Sequence, residues 1–125
     1  MKTTLTSNWR PLLRAFYPFL IAIAALWAMP KNARAQLYVT EAPQGGGPIG
    51  VVDKYDAKTG AAISPSFITG LSDPFGLAVK GNTLFVANLG TGTVGKYDAT
   101  TGAAINATFI TGLIGPIGLA VKSAK

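Results

Sequence analysis

Val52-Asp-Lys-Tyr-Asp-Ala-Lys-Thr-Gly-Ala-Ala-Ile63 returns as Val94-Gly-Lys-Tyr-Asp-Ala-Thr-Thr-Gly-Ala-Ala-Ile105, and Phe67-Ile-Thr-Gly-Leu71 returns as Phe109-Ile-Thr-Gly-Leu113. Both offsets are 42 residues, and 21 of the 29 positions from Val52 to Lys80 are identical to their partners from Val94 to Lys122. Self-similarity at a fixed period of this size marks one supersecondary unit used twice. Upstream, Leu37-Tyr-Val-Thr40 answers Leu84-Phe-Val-Ala87 at an offset of 47. The first copy therefore holds five extra residues between Glu41 and Val51, where Gly45-Gly46-Gly47-Pro48 stands. An insertion confined to a Gly/Pro-rich stretch belongs in a surface loop.

Within each copy the pattern is that of strands. Gly76 to Lys80, Thr83 to Asn88, Thr93 to Asp98 and Ala107 to Thr111 are rich in Val, Ile, Phe, Tyr and Thr and are separated by Gly, Asn, Asp and Pro. Gly81-Asn82 between two apolar runs predicts a two-residue hairpin. Asp98-Ala-Thr-Thr-Gly102 predicts a second, with Asp98 accepting from N–H groups ahead of it and Gly102 supplying a positive φ. Four strands per repeat of this length predict an all-β fold of β-propeller blades. The expected strands are b-c-d over 37–69, a whole a-b-c-d set over 76–111 and a lone a strand over 118–122. That phase leaves complementary edges, which two chains joined head to tail would satisfy. Three such chains would give six blades, so the reading is a partial propeller or one subunit of a homotrimeric ring.

The run from Leu84 to Val121, LFVANLGTGTVGKYDATTGAAINATFITGLIGPIGLAV, resembles bacterial secreted NHL-like propellers and, more loosely, the SMP-type gluconolactonase group. The resemblance covers essentially all of residues 36–125. Its motifs speak for a fold and say little of an activity. Relatives of that kind have about six blades where this chain has two, so a closed single-chain ring is out of reach, and a piece of a longer propeller is a further reading.

The amino end reads differently. Residues 1–14 carry Lys2, Arg10 and Arg14 and no acid, residues 15–29 are an apolar run of fifteen, and Ala33-Arg34-Ala35 ends the polar stretch that follows. This is the plan of a secretory signal peptide, cleaved after Ala35, and the run is short of the roughly 20 apolar residues a membrane-spanning helix takes. The alternative is an anchor that is kept. Export, to the periplasm or the medium, and membrane contact only through the uncleaved leader are the resulting expectations. The leader holds five of the eleven basic residues and both tryptophans. Beyond Ala35 six lysines face five acids, so no basic face for nucleic acid remains. Cysteine is absent, which excludes disulfide staples.

Residues 36–125 also lack His and Arg, and this inventory argues against covalent chemistry by these units alone. Asp53 and Asp56 read as turn caps, Lys54, Lys96, Lys80 and Lys122 as solvated, and Tyr55 and Tyr97 as packing between repeats. One constellation invites a ligand. In propellers the b–c and d–a connections share the binding end, which here gathers Glu41 and Asn88, equivalent positions, with Asp73. Their oxygens suit Ca²⁺ or sugar hydroxyls. The gluconolactonase-like resemblance implies a metal held by Glu, Asn and Asp from this end. The expected function is thus a non-catalytic binding module for a small molecule, glycan or protein, without a cofactor unless Ca²⁺ is held. The alternative is part of a metal-dependent lactonase-type hydrolase.

Overall fold

Runs of β-branched and aromatic residues, cut by Gly, Asn, Asp and Pro, become seven strands among the described residues, which are 34–43 and 47–125 of a computed structural model. Residues 1–33, which hold most of the signal peptide expected over 1–35, and residues 44–46 of the glycine-rich loop lie outside the described residues. Strands β1 (Gln36–Glu41), β2 (Ile49–Asp56) and β3 (Ala62–Ser72) form one antiparallel sheet in that order. Strands β4 (Pro74–Lys80), β5 (Thr83–Asn88), β6 (Thr93–Asp98) and β7 (Ala104–Ile110) form a second, also antiparallel and in chain order. No helix occurs among the described residues. The described residues are all-β, as expected.

The repeat is legible in the turns. Asp56 accepts from the Lys58 and Thr59 N–H groups at 2.9 Å, and Asp98 from Thr100 and Thr101 at 2.8 Å. In each turn a glycine closes the loop with a left-handed backbone, Gly60 at φ 71° and Gly102 at φ 77°. These N–H groups hold both carboxyls below the ordinary carboxylate range, burial working against them, and Arg34 adds to the effect at Asp56. The Lys80–Thr83 hairpin has its left-handed residue at Gly81 alone, the first central position, which is the type II′ pattern.

The two sheets meet across an apolar junction of Val52, Ile68 and Leu71 from the first and Leu84, Val86, Tyr97 and Ala99 from the second. Leu84 and Val86 are completely buried there. Period 2 explains the choice, since Leu84 and Val86 lie on the same face as Tyr97 and Gly95, their cross-strand partners. Beside this core the Ala99 carbonyl accepts from the Tyr38 hydroxyl at 2.7 Å and from the Lys54 ammonium at 3.3 Å. Burial of Tyr38, and after it the charge of Asp98, raises the phenol's pKa.

Beyond Ile110 no strand forms. Residues 118–122, read as a lone a strand, find no strand to pair with among the described residues. The carbonyl of Ile117 and the Cα of Gly118 nonetheless pass close to Gly76, too close for a Cβ there.

Candidate functional site

Glu41 ends β1, Asn88 ends β5 and Asp73 stands between β3 and β4, so all three candidates fall at turns or strand ends. The backbone brings them to one end of the molecule. Pro74 pairs with Asn88, and the Pro74 ring together with the Glu41 carbonyl crowds Gly50, which leaves that position no room for a side chain. Asp73 is fixed by its main chain, donating to the Pro48 carbonyl at 2.8 Å and accepting from the Leu89 N–H at 2.9 Å.

Asp73 has a conformational task. Its φ is 49°, left-handed, and its repeat partner Gly115 has φ 59°. Aspartate is among the few residues that tolerate this region, so a backbone requirement accounts for a carboxylate at this position. Asn88 is buried, only 4% exposed, and its Nδ2 donates to Thr93 Oγ1 at 3.5 Å. Its Oδ1 is the one buried side-chain nitrogen or oxygen without a hydrogen-bond partner among the described residues. The Tyr97 phenol beside it is pushed up by burial, with the Asn88 amide acting in the opposite direction. Glu41 is exposed and borders a shallow depression lined by Ala42, Pro43, Ile49, Gly50 and Val51.

Oxygen chemistry is therefore present, but the three side chains occupy different environments. Among the described residues no hydrogen bond joins Glu41, Asp73 and Asn88 to one another through their side chains, and no trio of His, Cys, Asp or Glu gathers as metal ligands. Ca²⁺ takes 6–8 oxygens. Of the three, the orphaned Asn88 Oδ1 is the oxygen to which an ion would give a missing partner.

No protein family, curated protein or solved structure matches the chain. The residues themselves carry whatever functional reading is made.

Two side chains depart from their sequence reading. Lys54, expected in solvent, is 5% exposed, with its ammonium on the Ala99 carbonyl and 4.6 Å from the Phe67 ring centre. Strand alternation carries the signal, because Lys54 shares a face with Val52, the junction residue two positions earlier. Asp53, expected to cap a turn, is 7% exposed and ties β2 to a bulge of β3. It accepts from the Ser66 N–H at 2.6 Å and from the Tyr55 hydroxyl at 3.2 Å. Its repeat partner is Gly95, where the Tyr97 ring folds over the backbone and leaves no space for a Cβ. Asp56 and Asp98 do cap turns, and Lys80 and Lys122 are exposed, as read.

Proposed function

We propose that the chain is an exported, non-catalytic binding module whose two sheets are β-propeller blades of the NHL-like kind. It acts through the loops around Glu41, Asp73 and Asn88. The observation that carries this is the recurrence of one meander of three antiparallel strands, with the same aspartate-capped turn, at the two copies of the repeat. The absence of His and Cys from the whole sequence supports a binding role over catalysis. Export rests on the leader, cleaved after Ala35.

A second reading keeps the same end and makes it the metal site of a lactonase-type hydrolase, with Asn88 Oδ1 and the Glu41 and Asp73 carboxylates as ligands. The unpartnered Asn88 oxygen favours it. Glycan and peptide arrays probed with the exported chain test the first reading, and binding is expected to fall at least tenfold in Glu41→Ala. Calcium calorimetry combined with a lactone hydrolysis assay tests the second. Calcium-dependent turnover of a lactone would replace the binding-module reading, and silence on every array would remove it.

A further inference from the structure

We propose that the outer face of the second sheet is a socket for the 56–60 turn of a second copy of this chain. The contact already exists once inside the molecule. At the sheet junction the 98–102 turn of the second repeat seats in the first. There the Ala99 carbonyl receives Tyr38 and Lys54, Lys54 lies over Phe67, and Gly102 approaches the Phe67 carbonyl too closely for any Cβ.

Every member of this contact has a repeat partner. Tyr38, Lys54 and Phe67 correspond to Phe85, Lys96 and Phe109, while Ala99 and Gly102 correspond to Ala57 and Gly60. The second socket is built like the first. Phe85 and Phe109 stand 5.8 Å apart at 48°, against 5.8 Å and 47° for Tyr38 and Phe67. The Lys96 ammonium is 5.4 Å from the Phe109 ring centre. What it lacks is an occupant. Among the described residues no hydrogen bond reaches the Lys96 ammonium, and Phe109 is 46% exposed.

The complementary turn is likewise preformed and empty-handed. Asp56 caps it through the Lys58 and Thr59 N–H groups at 2.9 Å as Asp98 caps the 98–102 turn at 2.8 Å, and neither cap involves residues up to Ala35. Gly60 has open space where Gly102 meets Phe67. The apolar flank agrees. Leu84 and Val86 are fully buried at the junction, whereas their partners Leu37 and Val39 are 51% and 37% exposed. One end of the molecule thus presents the turn and the apolar strand, and the other presents the cation and the aromatic pair. Such a contact is head to tail, and it closes into a ring or propagates according to its rotation. It holds whatever the chain binds, and it does not depend on residues 118–122.

The second socket is the weaker one, because Phe85 lacks the hydroxyl that Tyr38 donates. Sedimentation velocity on the chain expressed from its complete sequence should therefore show reversible, concentration-dependent association. Phe85→Tyr supplies the missing donor and should tighten it about fivefold. Lys96→Glu should abolish association while leaving the circular dichroism unchanged. A short bismaleimide should join Ala57→Cys chains to Asn106→Cys chains, position 106 being the exposed cross-strand partner of Lys96, only when the two are mixed. A monomer up to the solubility limit, association indifferent to both substitutions, or linkage of position 57 to itself would overturn the proposal. So would a different protein found seated on Lys96 and Phe109.

Discussion

Asp98 takes two N–H groups on one carboxylate oxygen and the Asn82 amide on the other, at 2.9 Å, which stabilises the ionised form. Its pKa and that of Asp56 are lowered on folding from 3.8. For a lowered carboxyl the stabilisation is complete above the unfolded value and disappears as pH falls through the folded one. Urea midpoints should accordingly hold steady from neutrality to about pH 4 and then fall. Asp98→Asn keeps the acceptor and removes the charge, so its midpoint should fall less steeply, and parallel curves would rule out this origin. Lys54 makes a different prediction. Lys54→Ala leaves the Ala99 carbonyl one donor short and opens space under Phe67, a loss of about 1–3 kcal/mol. Lys80→Ala, on an exposed strand end, should change stability by about 0.5 kcal/mol or less.

At the scale of elements, β5 and β6 fell where alternation and turn residues put them, Thr83–Asn88 and Thr93–Asp98. Both are short and flanked by tight turns, so local chemistry fixes both ends. Strand β7 begins at Ala104, three residues before the expected Ala107, because pairing of Ala104 with Tyr97 and of Asn106 with Lys96 recruits two residues of low strand propensity around Ile105. Propensity cannot report a partner. The same blindness hid Lys54, whose type says solvent while its register says interior. The candidate trio was legible as a shared end of the fold, but its convergence depends on side-chain directions that no spacing encodes. Gly102 and Gly60 isolate such a tertiary effect. Both need a positive φ, but only Gly102 also meets a backbone carbonyl. Gly102→Ala should cost at least 1 kcal/mol more than Gly60→Ala in thermal unfolding, since the second bears conformational strain alone.

At the largest scale, the two sheets bury one apolar face each at their junction, and no other described element covers the strand residues Leu37 and Val39 on the far side of the first. Leu84→Ala should cost about 2–5 kcal/mol. Leu37→Ala, at the equivalent but half-exposed position, should cost about 1 kcal/mol or less in dilute protein. Equal losses at low concentration would mean that the first sheet already has a cover. Losses that converge as concentration rises would place Leu37 in the intermolecular contact.

Arg34 and Ala35 bear on the order of events in the proposed export. The Arg34 guanidinium lies 3.1 Å from Asp56, the Ala35 carbonyl is taken by Ala57, and Gln36 is already in register opposite Asp56. A peptidase cutting after Ala35 needs that bond extended and accessible, yet the folded chain ties down both of its sides. Under the proposed cleavage after Ala35, processing and folding would compete in time: a chain that folds first would shield that bond, and a chain cut first would fold without the Arg34 tether. Asp56→Ala, which weakens the turn that does the shielding, should raise the cleaved fraction in a pulse-chase experiment. A cleaved fraction insensitive to the turn would mean that the peptidase always arrives before the fold.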